Sequence, residues 1–226
     1  MGEKERAKEI IRRLERVFDI DPEEFIALKA YLERKDPFES LVATIISQNT
    51  SERNSFKAWN NLKSKINIDP FTIAKINPKA IAELIRPAGL QDQKAKAIVS
   101  AAKFLVENFN GNMKKLLSLP VEDARKILVN NIPGVGWKTA DVVLSMYGKP
   151  TIGVDTHISR VSVRLGFTKT RRYEEVRRKL MELYDPDEYY KVHLLLILLG
   201  RRYCKARNPL CNQCPVKDLC PRHGIT

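Results

Sequence analysis

No stretch of this sequence alternates apolar and polar residues between hairpin-type turns, so little or no sheet is expected. Tandem repeats and low-complexity tracts are also missing, which sets aside repeat arrays and long disordered linkers. The most apolar run, His193 to Leu199, is far too short to span a bilayer. The opening residues, Met1-Gly2-Glu3-Lys4-Glu5-Arg6, lack the apolar centre of a secretory signal. Arg6 stands where a myristoylation signal needs Ser or Thr. An intracellular protein is expected, and the Asn49-Thr50-Ser51 sequon is then a chance match. Cysteine does not occur before residue 204.

Positive charge, by contrast, is abundant. Forty Lys and Arg against 27 Asp and Glu leave a net charge of +13. That excess suits an anionic partner, of which nucleic acid is the commonest for a soluble chain. The balance of apolar and charged residues is otherwise ordinary for a globular protein. The length allows one domain or two small lobes.

Apolar spacings of three and four predict an all-α chain. Ala7, Ile10, Ile11, Leu14, Val17 and Phe18 form one stripe over residues 4–18. Asp21-Pro22 reads as the cap and first position of a helix to about Leu32. Further helices are expected from Phe38 to Ser47, from Ser51 or Glu52 through Leu62, and from Asn77-Pro78 to near Pro87 and Gly89. Asp92 reads as the cap of a long helix containing Ile98, Ala101, Ala102, Leu105 and Val106. Val121–Asn130 and Trp137–Tyr147 flank a glycine turn, and Thr156–Leu165, Arg171–Tyr184 and Pro186–Arg202 follow.

The glycine turn is Ile132-Pro133-Gly134-Val135-Gly136-Trp137-Lys138. Gly134 and Gly136 permit positive φ and close approach of a ligand. The helix behind them offers unpaired N–H groups and a positive dipole end, suited to phosphate. Gly-x-Gly alone is equally a packing joint between two helices. The cysteines Cys204, Cys211, Cys214 and Cys220 follow a Cys-x6-Cys-x2-Cys-x5-Cys pattern, close enough in sequence to wrap one metal centre. Zinc and an iron–sulfur cluster both fit that spacing. A disulfide pair is the weaker alternative inside a cell.

Taken together, the motifs resemble a known family. Leu196-Ile197-Leu198-Leu199-Gly200-Arg201 leads into Cys204-Lys205-Ala206-Arg207-Asn208-Pro209-Leu210-Cys211, then Cys214 and Asp218-Leu219-Cys220. This run resembles the C-terminal loop of endonuclease III-type DNA glycosylases, which holds a [4Fe–4S] cluster by the same spacing. Ile132 to Ala140, then Val142-Val143-Leu144, resembles their helix–hairpin–helix. Val154-Asp155-Thr156-His157 with Arg160-Val161 resembles the segment after it. The likeness covers most of residues 38–220.

The resemblance implies a bifunctional DNA glycosylase/AP lyase of base excision repair that removes oxidised pyrimidines. Lys138 is then the nucleophile that forms a Schiff base at the sugar C1′ and permits β-elimination. Asp155 stabilises the positive charge developing on the sugar and also caps the following helix. His157 and His193 are read as structural. The hairpin backbone at Gly134, Val135 and Gly136 would grip DNA, with Lys205 and Arg207 on phosphates. Gln48 and Asn49 are the candidates for the polar wedge that fills the gap left by an extruded base. The family's glutamine stands two positions after the serine, where this chain has Asn49, with Gln48 one after Ser47. Trp137 and Asp141 are also unusual for the family, Asp141 standing where asparagine is familiar.

The expected architecture is two helical lobes. Residues 37–150 would form a six-helix-barrel-like domain with the hairpin. Residues 1–36 and 151–226 would form the iron–sulfur lobe, with the DNA cleft between the two. The expected partner is double-stranded DNA carrying a damaged base or abasic site, met by a monomer with no membrane association. Rival readings are a glycosylase for thymine or uracil opposite guanine, and a non-catalytic cluster-bearing DNA-binding protein.

Overall fold

A computed structural model describes residues 1–224. Among these residues there is no strand, and the chain is all-α. In order the helices are α1 (Glu3–Val17), α2 (Ile26–Arg34), α3 (Pro37–Ile46), α4 (Glu52–Lys63), α5 (Pro70–Ile73), α6 (Pro78–Ile85), α7 (Gln91–Phe109), α8 (Met113–Ser118), α9 (Val121–Asn131), α10 (Trp137–Met146), α11 (Thr156–Arg164), α12 (Tyr173–Leu183) and α13 (Tyr189–Arg202). No helix among the described residues is long and apolar enough to cross a membrane.

The chain divides into two compact units. One holds residues 21–149, the other residues 1–20 with the chain from 150 onward. The first therefore begins at 21, not at 37. The segment expected in the other lobe carries α2, whose Ile26 and Ala30 are buried in the same core as α3 and α4. Tyr31 packs edge-on against Tyr147 at 5.1 Å, and the Ile26 amide donates to Glu52. Those contacts hold α2 where its apolar residues are covered.

At the centre of the 21–149 unit lies α3, all ten of whose residues are buried. Phe38, Leu41, Val42, Ile45 and Ile46 meet Trp59 and Leu62 of α4, Ile81 and Ile85 of α6, Ile98 and Leu105 of α7, and Val143 and Leu144 of α10 in one core. Mostly apolar, α3 is covered on every side, and its polar residues are paired: Arg34 donates to Glu39 and Thr44 Oγ1 donates to the Ser40 carbonyl. One device opens several of these helices: Asp36-Pro37, Asp69-Pro70 and Asn77-Pro78 each supply a side-chain cap and a first-turn proline with preset φ.

Two expected starts differ. Asp21-Pro22 caps only a short 3-10 turn, Pro22–Glu24, and α2 begins after Phe25. Asp92 does not cap α7. Gly89 and Leu90 both turn through positive φ, so the helix starts at Gln91 and Asp92 falls in its first turn. Helices α5 and α8 were not expected, because four and six residues carry too little periodicity.

In the second unit, α1 buries Ala7, Ile10, Ile11 and Leu14, and α13 buries the run from Val192 to Gly200. Gly200 lets α13 approach α11 closely. A Cβ there would stand 2.8 Å from the His157 Cβ. Gly200→Ala should therefore lower stability by about 1–3 kcal/mol, the cost of overpacking. A chemical-denaturation midpoint equal to the unsubstituted protein's would contradict this packing.

Candidate functional site

The turn between α9 and α10 is built from two buried anchors and an exposed rim. Ile132 and Val135 are buried, and the Val135 amide donates to the Ile132 carbonyl at 3.1 Å. Pro133, Gly134 and Gly136 are exposed. Gly134 sits at φ +80, a conformation that only glycine adopts without strain. Gly136 is different: it is extended, with φ −94 and ψ 178, and a Cβ added there would meet nothing within 4 Å. Nothing inside the chain requires glycine at 136. Its bare Cα keeps the space open over the first amides of α10, which have no intrahelical acceptor.

Lys138 is the second residue of α10 and is half-buried. Within residues 21–149, no side chain pairs with its amine. Gln48 reaches this helix: its Nε2 donates to the Gly134 carbonyl at 3.1 Å and to Thr139 Oγ1 at 3.0 Å. Asn49 next to it is exposed and left-handed, with φ +52. The two wedge candidates thus part company: Gln48 ties its loop to the hairpin, and Asn49 projects from it.

Sequence reasoning missed Lys94, a buried amine that donates to the carbonyls of Ile46 and Ala88, each at 2.9 Å. It closes the carboxyl end of α3, from which the Gln48–Asn49 loop leaves. Arg125 was missed as well. Its Nε and Nη2 donate to both Asp141 oxygens at 2.7 and 2.9 Å, and its Nη1 donates to Glu122 at 2.7 Å. The guanidinium carbon lies 4.8 Å from the centre of the Trp137 ring. The two unusual residues, Trp137 and Asp141, therefore share one arginine.

Asp155 belongs to the other unit. It caps α11, with Oδ1 accepting from the Ile158 amide at 2.8 Å. His157 accepts from Arg160 at its Nδ1 at 3.1 Å. Burial holds its imidazole below the usual value, with the charges of Arg160 and Arg201 adding and that of Asp155 opposing. His193, also buried, meets the Gly153 carbonyl through Nδ1 at 2.8 Å.

From the same α11, two buried arginines hold the cysteine loop. Arg160 donates to the carbonyls of Cys204 and Gly200, and Arg164 to those of Lys205 and Ala206. Arg164 also reaches Cys204 Sγ at 3.4 Å. Their i, i+4 spacing on one helix face was visible in the sequence, though their target was not. Lys205 and Arg207 are exposed between the first two cysteines.

All four cysteines line one cavity with Val161, Leu165, Leu199 and Val216. Arg164 lines it too, and its buried Nε has no partner. Burial pushes the Cys214 and Cys220 thiols up, and the neighbouring cysteines add to it. Four thiolates cannot share such a space without positive charge at its centre. A soft, cationic iron–sulfur core in an apolar, arginine-flanked cage fits these residues.

Comparison with known proteins bears on what the hairpin and cage belong to. Residues 42–186 match the family described as HhH-GPD superfamily base excision DNA repair protein. Residues 204–220 match the iron–sulfur binding domain of endonuclease III. Endonuclease III of Thermotoga maritima is 38% identical over 186 residues, 82% of this chain and 83% of that one. The chain belongs to the endonuclease III family of HhH-GPD proteins. Endonuclease III of Sulfolobus acidocaldarius is 31% identical over 95% of both chains. The structure of a trapped endonuclease III–DNA covalent intermediate superimposes with a TM-score of 0.80 at 31% identity, covering 98% of this chain and 97% of that one. A thermostable thymine-DNA glycosylase shares the fold at a TM-score of 0.79, but at 21% identity over 96% of each chain. That likeness concerns the fold alone. Like its family, this is a [4Fe–4S] protein.

Burial lowers the Lys94 ammonium from 10.5 to about 8. Between those values the unfolded chain holds the proton more tightly, so this group makes stability rise with pH across that window. Relative to Lys94→Met, the unsubstituted protein should gain on the order of 1–3 kcal/mol between pH ~8 and pH ~10 in denaturation experiments. Parallel pH profiles for the two proteins would contradict a buried, titrating Lys94.

Proposed function

We propose that Lys138 and Asp155 carry the chemistry of a bifunctional DNA glycosylase/AP lyase that removes oxidised pyrimidines from duplex DNA. The observation that carries this reading is Lys138 itself. In a chain of the endonuclease III family, a half-buried lysine without a partner in its own unit stands in the first helical turn behind a glycine rim. A lysine on the surface only to meet phosphate would need no such position.

The Lys138 amine, in its neutral form, attacks the sugar C1′. The bond from C1′ to the base breaks, and the base leaves with the electron pair and takes up a proton. Opening of the sugar ring gives the Schiff base. Loss of a C2′ proton then expels the 3′ phosphate, and water releases the lysine. Asp155 offsets the positive charge that builds on the sugar as the base departs, and accepts and returns protons. Its fixed capping bond from Ile158 leaves the other carboxylate oxygen for that work.

The exposed rim at Gly134 and Gly136, with the first-turn amides of α10, holds a phosphate and positions the strand without reading its sequence, while the Val135 amide is spent on the Ile132 carbonyl beneath. Lys205 and Arg207 add contacts to the backbone. Asn49 is the wedge, because it is exposed and stands two positions after Ser47, while Gln48 is spent on the hairpin. Cys204, Cys211, Cys214 and Cys220 hold the cluster, which is structural or redox-linked and takes no part in the bond changes. The enzyme acts on the cell's own DNA, hence inside the cell.

Single-turnover assays on duplexes with one oxidised pyrimidine, scored separately for base release and nicking, test the assignment. Lys138→Gln should bind as tightly as the unsubstituted protein and lose about 10³-fold or more in both signals. Asp155→Asn should lose about 10²-fold or more in base release with binding retained. Nicking by Lys138→Gln at the original rate would sink the nucleophile. Preferential release of thymine or uracil opposite guanine would favour the mismatch reading.

A further inference from the structure

Trp137 and Asp141 both meet at Arg125, and the arrangement leaves Trp137 with surface to give. Asp141 is fully buried and takes both prongs of the arginine, and Glu122 accepts from a third nitrogen. The Arg125 side chain is thereby fixed, and the Trp137 ring lies over it at 4.8 Å. Even so, Trp137 is 38% exposed. It is the first residue of α10, between the bare Gly136 and Lys138, beside the outward amides of the hairpin.

We propose that Trp137 is a DNA-stacking residue, its ring packing against a nucleotide of the strand whose phosphate the hairpin amides grip. The proposal rests on the glycosylase reading above. Two features of the chain and one consequence of the glycosylase reading favour DNA as the occupant. The neighbouring amides suit a phosphate, the chain carries +13, and a base extruded from the stack leaves sugars and bases unstacked nearby. An aromatic ring accepts any base or sugar face, so the contact adds affinity without sequence preference. Its clamp on Arg125 holds the ring in place before DNA arrives. Arg125 itself is buried against Asp141, so its charge serves the clamp, and Trp137 is the part of the group that solvent reaches.

The chain has two tryptophans, and the other, Trp59, is 1% exposed in the core. A change of tryptophan emission on binding DNA therefore reports on Trp137, over a constant background from Trp59. In a Lys138→Gln background, which keeps the complex uncleaved, saturating lesion duplex should quench and shift the emission. The same titration with Trp137→Phe added should leave the remaining Trp59 signal unchanged. In the unsubstituted protein, Trp137→Ala should weaken binding roughly tenfold, and Trp137→Phe should restore most of it. The slope of log affinity against log salt should stay the same, because no ionic contact is lost. Saturated binding with unchanged emission overturns the proposal. So does Trp137→Ala that loses melting temperature yet binds with full affinity, the result expected of a ring that only covers Arg125. If Lys138→Gln and the unsubstituted protein both fail to bind lesion duplex, the glycosylase reading falls and this inference with it.

Discussion

The hairpin depends on one buried ion pair, Arg125 with Asp141. Two short bonds join a guanidinium and a carboxylate that are almost wholly withdrawn from water, one on α9 and one on α10. The planar fork admits a single relative orientation, so the pair fixes how the two helices face each other. Losing either partner would strand a buried charge at a cost of about 3–5 kcal/mol. Trp137 lies over the same arginine, and Lys138 follows it directly. The position of Lys138 is thereby tied to a contact buried inside the 21–149 unit.

A second set of contacts performs the corresponding task in the other unit. Arg160 and Arg164 project from α11, the helix that Asp155 caps, and take the carbonyls of Cys204, Lys205 and Ala206. One short helix thus carries the carboxylate at its start and grips the cysteine loop from its later turns. This gives the cluster a plain structural purpose. It closes a loop that has little regular structure of its own, and the helix bearing Asp155 is fastened to that loop. Cations at fixed places also make a thiolate-rich cage tolerable.

The helical class and most helix positions could be read from apolar spacing, because long amphipathic helices bury one stripe each. What could not be read follows from burial rather than pattern. Lys94 and Arg125 look like any surface cations in sequence, and only the folded chain shows the carbonyls and carboxylates that hold them. The start of α7 was missed because a backbone turn at Gly89-Leu90 replaces the side-chain cap that Asp92 suggested. The four cysteines stood out by their spacing and line one cavity, whereas Lys138 stood out only through the resemblance of the hairpin around it to a family motif. Trp137 and Asp141 were visible only as oddities. Their reason is a third residue, on another helix, that no local motif contains.

The claim at the centre of the account is that Lys138 is the group that becomes covalently attached to DNA. Borohydride reduction during turnover of a duplex with a single oxidised pyrimidine, followed by peptide mapping, tests it most directly. The account predicts one reduced adduct, carried by the peptide containing Lys138 and absent from the Lys138→Gln protein. Base release with no trapped adduct, or an adduct on another residue, would contradict it.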